Sequence, residues 1–204
     1  MRDRPPLARL WAPWRQEYLD AEAARTAKRS AGAKRGRVPA GGAAVKARAA
    51  AAPAAAEDAC LFCRVRARRD DRADLVLARR RHALLMLNRY PYNSGHLMVA
   101  VLAHKAHFGD LTPAERRDVV DLIAAAERAL AAEYHPDGLN YGANVGRVAG
   151  AGFPGHLHVH LVPRWDGDTN FMPVIGATKV LPESLERTWT RLRRRLARAT
   201  RGAR

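Results

Sequence analysis

Residues 155–165 read Gly-His-Leu-His-Val-His-Leu-Val-Pro-Arg-Trp, with histidine at 156, 158 and 160 and an apolar residue at 157, 159 and 161. A repeat of two belongs to extended backbone, where successive side chains point to opposite faces. Residues 156–162 therefore predict a β-strand with an apolar face and a face of three imidazoles. The apolar face must be covered, which calls for a sheet with a helix layer on that side. The imidazole face is expected to lie open. Three imidazoles so close repel one another if protonated, so neutral or partner-bound forms are favoured. Such a face can bind a metal, attack an electrophile, or hold and protonate an oxyanion. With only eight histidines in 204 residues, chance is a poor explanation of the alternation.

The flanking sequence supplies the rest of the sheet. Leu75–Ala78 and Ala83–Leu87 are short apolar runs around a charged turn and predict a hairpin. Residues 95–102, Gly-His-Leu-Met-Val-Ala-Val-Leu, predict a third strand after the turn residues 90–95, and 139–145 another just ahead of the histidines. Thr112-Pro113-Ala114-Glu115 combines an N-cap hydroxyl, a proline at the first helical position and a capping-box glutamate. The helix it starts carries Val119, Ile123, Ala126 and Leu130 on one stripe and stops near Tyr134, before Pro136 and Gly138. Leu185, Trp189, Leu192 and Leu196 predict a last helix with a basic opposite face. The expectation is an α+β domain: a five-stranded antiparallel sheet under a long helix, followed by a C-terminal helix.

Composition divides the chain. Residues 1–20 contain Leu10, Trp11, Trp14, Tyr18 and Leu19, too apolar for a free tail, and read as an aromatic packing arm. Residues 21–58 are Ala, Gly, Pro and positive charge without large apolar side chains, and read as a disordered linker. The folded domain is expected over 59–181, and a basic helix and tail over 182–204. The net charge of +16 is concentrated in the first 59 and last 18 residues, which argues against the whole chain being a nucleic-acid binder. Aromatic residues make up 6% of the chain and do not interleave with the basic stretches, so no stacking platform for nucleic acid is evident. A binding module that uses its tails on RNA or DNA stays as the rival class, distinguished by steep salt dependence. No run is long and apolar enough to cross a bilayer or serve as a secretory signal, so a cytoplasmic chain is expected. Cys60 and Cys63 form a C-x-x-C pair, half of a tetrahedral metal site or a redox pair.

Upstream of the histidines, residues 144–152 form a glycine-rich loop able to bring backbone N–H groups to phosphate oxygens. Together, His156-Leu-His-Val-His-Leu-Val162, the Asn88 eight residues before His96, and the Gly95-His96 strand start resemble the signatures of the HIT (histidine triad) superfamily of nucleotide hydrolases and transferases. Residues 163–173 and Leu10-Trp-Ala-Pro-Trp-Arg15 are similar to the bacterial diadenosine tetraphosphate phosphorylase branch. The resemblance implies that His158 attacks the α-phosphorus to form a nucleotidyl-imidazole, that His160 contacts phosphate oxygens, and that the carbonyl of His156 orients the far nitrogen of His158. It places Asn88 at the nucleotide ribose or base, His96 near the triad and Asn144 near the phosphates; Gly150 and Gly152 of the glycine-rich loop are further nucleotide-side candidates, as is Trp165, which either stacks on a base or, by preference, packs against a neighbouring subunit. Gly152 stands where dinucleoside hydrolases of the family carry Gln or Ser, so only backbone donors remain there. The resemblance also implies a structural zinc on Cys60, Cys63, His104 and His156, with His107 competing for the place of His104. A homodimer, a dinucleoside polyphosphate substrate and inorganic phosphate as second acceptor are implied, with hydrolysis or phosphoramidate cleavage as alternatives and no organic cofactor.

Overall fold

The computed structural model describes residues 60–169, 171, 175 and 181–201. The aromatic arm and the Ala/Arg-rich linker expected before residue 59 lie outside the described residues. The chain divides into two units, residues 1–46 with 169–180, and residues 47–168 with 181–204. The second unit holds α1 (Leu61–Arg68), β1 (Val76–Arg79), β2 (Ala83–Leu87), β3 (Leu97–Val101), α2 (Pro113–Tyr134), β4 (Gly138–Gly142), β5 (His158–Arg164) and α3 (Leu185–Arg201).

The strands make one antiparallel sheet in the order β1-β2-β3-β5-β4. This is the α+β arrangement anticipated from the sequence. β2 and β3 lie next to one another inside the sheet, and all their residues are buried, which is why their sequences are continuous apolar runs. Alternation then sorts them. Ala83, Leu85, Leu87, Leu97, Val99 and Val101 join Leu157, Val159 and Leu161 in a core under α2 and α3. Leu84, Met86, Met98 and Ala100 face the other way, against Phe62, Val65 and both cysteines.

α2 starts as its sequence dictates: Thr112 accepts from the Glu115 N–H and the Glu115 carboxylate accepts from the Thr112 N–H, with Pro113 at the first position. Its buried stripe is Val119, Leu122, Ala126, Ala129 and Leu130, and Ile123 lies at the margin. The basic face of α3 is largely engaged within the fold. Arg191 pairs with Glu133 and Glu183, Arg195 with Glu133, and Arg193 donates to the Leu77 carbonyl at 2.8 Å. No helix among the described residues is long and apolar enough to cross a membrane.

The structure departs from the sequence-derived elements at three places. β4 ends at Gly142, so residues 143–145 lie outside the strand. β5 begins at His158, not His156: Leu157 N–H donates to the Lys105 carbonyl at 2.6 Å, a loop contact that replaces the ladder. α1 has no counterpart among the expected elements. Its N-cap residue, Cys60, makes no side-chain cap and its first turn has no acidic residue, so local signals for a helix are weak.

Gly95 sets the approach of β3 to its neighbours. Its φ of +80° is the left-handed region, and an added Cβ would stand 3.0 Å from Leu130 Cδ2 and 3.3 Å from Pro163 Cγ. Replacing Gly95 by Ala is expected to lower unfolding free energy by about 1–3 kcal/mol in urea denaturation. An unchanged midpoint would show that the turn adapts without strain.

Candidate active site and metal cluster

His158 sits at the start of β5 opposite Ala100 of β3, and is 5% exposed. Its Nδ1 lies 2.8 Å from the backbone carbonyl of His156. A carbonyl only accepts, so Nδ1 carries the proton and the lone pair resides on Nε2. Burial pushes the His158 pKa down, partly opposed by that hydrogen bond, which favours a neutral ring. The result is an imidazole with a directed nucleophilic nitrogen.

The imidazole face is not open, contrary to the expectation from alternation alone. α1 covers it, and the buried Phe62 ring lies with its centroid 4.9 Å from those of both His156 and His158. Phe153 meets Phe62 edge-on at 5.7 Å. Only His160 of the three histidines remains partly exposed.

His160 Nδ1 is 3.0 Å from Nε2 of His96, a histidine 1% exposed at the start of β3. The Tyr92 backbone N–H donates to the other nitrogen of His96 at 3.1 Å, and the Tyr92 ring packs 4.6 Å from the His96 ring. Asn88 Oδ1 accepts from the Tyr90 N–H at 2.9 Å, which leaves its Nδ2 3.5 Å from His96 Nε2. The turn that delivers these groups is locked to the sheet: Asn93 donates to the Pro163 carbonyl and to Asp168, whose carboxylate also accepts from Arg164 and the Trp165 N–H. The Arg164 hydrogen bonds hold the Asp168 carboxyl well below the usual carboxylate range.

Beneath Phe62, Cys60, Cys63, His104 and His156 bring one donor atom each to within 4.8 Å of one another. Cys60 Sγ is 3.3 Å from His156 Nδ1, and Cys63 Sγ is 3.2 Å from His104 Nδ1 and 3.7 Å from His156 Nδ1. The edges of a tetrahedron built on metal–ligand bonds of about 2.0–2.3 Å are about 3.3–3.8 Å, so the donors fit a metal. His156 Nε2 lies 2.6 Å from the Val101 carbonyl and must donate to it, which frees Nδ1 for a metal. Burial lowers the His156 pKa to about 4, keeping the ring in its neutral, ligating form. These four residues can hold a metal ion. The structure also decides between the two candidates in the 103–107 segment: His104 joins the cluster, and His107 is exposed ahead of a 3-10 turn.

The remaining sequence candidates are more dispersed. The loop after β4 turns through a 3-10 segment, Arg147–Ala149, and there Gly150 N–H donates to the Arg147 carbonyl. Asn144 Nδ2 donates to the Gly150 carbonyl at 3.3 Å, so both groups serve the loop's own shape. Gly152 is half-buried and adjoins Phe153, which brings it to the Phe62 side of the sheet. Trp165 follows the far end of β5, about 23 Å along the chain from His158 at about 3.3 Å per residue. Phe62 and Tyr92 went unread in the sequence. Phe62 lies inside the C-x-x-C pair, and Tyr92 lies in a segment that signals only a turn.

Alternating histidines thus lie on an inner strand, met by a buried histidine just ahead of the neighbouring strand. Residues 69–167 match the HIT domain family model. It is 42% identical over 118 residues to the AP-4-A phosphorylase of Mycobacterium tuberculosis, covering 58% of this chain and 60% of that relative's length. Over 105 residues it is 28% identical to the adenosine 5'-monophosphoramidase of Schizosaccharomyces pombe, covering 52% of this chain and 74% of that protein. A crystal structure of a zinc-bound histidine triad family protein from Mycobacterium smegmatis shares the fold, with a TM-score of 0.57 at 23% identity over 72% of this chain and 99% of that one.

The cluster can be tested without a substrate. Titration of the chelator-treated, reduced chain with cobalt(II) is expected to give the absorption of a tetrahedral thiolate site, saturating at about one ion per chain. Cys63→Ser is expected to weaken binding by at least about tenfold. Absence of thiolate-to-metal bands in the folded parent chain would contradict the assignment.

Proposed function

We propose that the chain is a nucleotidyl-transferring enzyme acting on dinucleoside polyphosphates of the diadenosine tetraphosphate type, with inorganic phosphate as the second acceptor. The observation that carries this reading is the 2.8 Å bond from His158 to the His156 carbonyl, which presents a neutral Nε2 lone pair. In the first step Nε2 attacks the α-phosphorus, an N–P bond forms, and the P–O bond to the departing polyphosphate breaks. In the second a phosphate oxygen attacks the same phosphorus and the N–P bond breaks, regenerating His158. With diadenosine tetraphosphate the products are ATP, then ADP. His160, the half-exposed neighbour, contacts the phosphate oxygens on which negative charge accumulates. Asn88, His96, Asn144, Gly150, Gly152 and Trp165 belong to the nucleotide side of this reading, for which Gly152 supplies a backbone donor and no side chain.

Phosphorolysis is supported over hydrolysis by the 42% identity to a protein named AP-4-A phosphorylase. Phosphoramidate cleavage is the second reading, supported by the likeness to a monophosphoramidase, and would use the same nucleophile. The S2N2 donor set of Cys60, Cys63, His104 and His156 suits zinc, whose role there is structural. Those residues tie α1 to the segment entering β5. The reading includes a homodimer, which light scattering tests, and it leaves the basic tails no part in the chemistry.

Incubation of the purified chain with diadenosine tetraphosphate, with and without phosphate, decides among these. ADP and ATP formed only with phosphate are expected, with kcat at least about 10³-fold lower in His158→Ala. AMP and ATP without phosphate would replace phosphorolysis by hydrolysis. No turnover of this substrate alongside cleavage of an adenosine phosphoramidate would establish the second reading.

A further inference from the structure

The peptide unit between His156 and Leu157 is engaged at both ends. Its carbonyl accepts from Nδ1 of His158 at 2.8 Å, and its N–H donates to the Lys105 carbonyl at 2.6 Å. A trans peptide is planar, so what fixes one end sets the direction of the other. β5 begins only at His158, so this peptide lies ahead of the ladder with β3. The orientation of the carbonyl that holds His158 is therefore decided by the segment that follows β3, and in particular by Lys105.

Lys105 is in turn fixed from the helix that covers the apolar face of the sheet. Its ammonium lies 2.9 and 2.6 Å from the two carboxylate oxygens of Glu115, the buried capping residue of α2, which also accepts from the Thr112 N–H at 2.6 Å. The side chains of the pair are 27% and 9% exposed, so the contact is partly desolvated and two-pronged, unlike an ordinary surface ion pair. The preceding residue makes the same approach to the entry of β5. His104, whose Nδ1 faces Cys63, sets its Nε2 so near Gly155 that an added Cβ there would stand 3.0 Å from it. The 104–105 segment thus meets the entry to β5 twice, at Gly155 and at Leu157.

We propose that Lys105 is a positioning residue for His158: the Glu115–Lys105 ion pair holds the Lys105 carbonyl on the Leu157 N–H, and the peptide so fixed keeps the His156 carbonyl on Nδ1 of His158. The two bonds reinforce each other, because a peptide whose N–H is engaged is a stronger acceptor at its oxygen. Through this chain the start of α2, on one side of the sheet, governs an imidazole on the other. Lys105 acts through the peptide and is assigned no contact with substrate. The effect on turnover rests on the proposed function; the anchoring of the peptide does not.

Amide hydrogen exchange of the full chain, followed by NMR, reads the Leu157 N–H directly. Lys105→Met keeps the aliphatic stem and removes the charge; it is expected to speed exchange at Leu157 by at least about tenfold, while Ala126 in the buried stripe of α2 exchanges at the parent rate. Glu115→Gln retains a capping side chain and is expected to have the same effect, whereas Lys105→Arg, able to grip both oxygens, is expected to preserve protection. In turnover, Lys105→Met is expected to lower kcat by about tenfold with KM changed less than about threefold, and the Lys105→Met/Glu115→Gln double variant to be no worse than either single one. Parent-like protection of Leu157 in folded Lys105→Met overturns the proposal. So does equal acceleration at Leu157 and Ala126, the mark of a general loss of stability, or an unchanged kcat in an active chain whose Leu157 has been loosened. Absence of turnover in a parent chain whose variants show the expected exchange pattern would instead count against the functional reading and leave the anchoring in place.

Discussion

His156 is the residue on which the site depends, because three of its polar groups are committed in three directions. Its backbone carbonyl takes the Nδ1 proton of His158, its Nε2 donates to the Val101 carbonyl, and its Nδ1 faces Cys60 and Cys63. The first bond leaves the His158 lone pair on Nε2, and the second fixes the ring and frees its other nitrogen for a metal. One residue thereby joins the chemistry of β5, the edge of β3 and the anchorage of α1. It meets all three demands because it lies just outside the strand, where its backbone is free of the β3 ladder.

The sheet converts this arrangement into two environments. Its face toward α2 and α3 is largely apolar and carries most of the burial, as expected where a long amphipathic helix covers an antiparallel sheet. The opposite face combines Leu84, Met86, Met98 and Ala100 with the cysteines and histidines under Phe62. An apolar layer over imidazoles favours their neutral forms, so the helix that closes the second core also keeps His158 uncharged. Packing and reactivity are therefore not separable at Phe62. Its ring fills the layer and shields His158 at once.

Much of this was legible in the sequence where the signal is local. The capping box at Thr112 and Glu115 specifies its helix through contacts within four residues, and the alternation of β5 needs only the geometry of extended chain. The hairpin of β1 and β2 likewise lies within one residue of its apolar runs. What escaped depends on distant partners. α1 carries Arg64, Arg66 and Arg68 and no cap, and it is a helix because Phe62 and Val65 are buried against the sheet. His104 and His107 could not be told apart, since the choice lies with a loop that packs against a segment some fifty residues away. The openness of the imidazole face was misjudged for the same reason: alternation says which side chains share a face and nothing about what covers it. Tyr92 contributes through its backbone N–H, which has no signature in side-chain type.

The central claim is that Nε2 of His158 becomes bonded to phosphorus during turnover. Rapid quench of the active chain with diadenosine tetraphosphate in the absence of phosphate, followed by peptide mass spectrometry under alkaline conditions, reads this directly. The account predicts an acid-labile adenylyl adduct on the peptide containing His158, formed at least as fast as turnover and discharged as ADP when phosphate is added. An active preparation that forms no such adduct, or carries it on another residue, would contradict it.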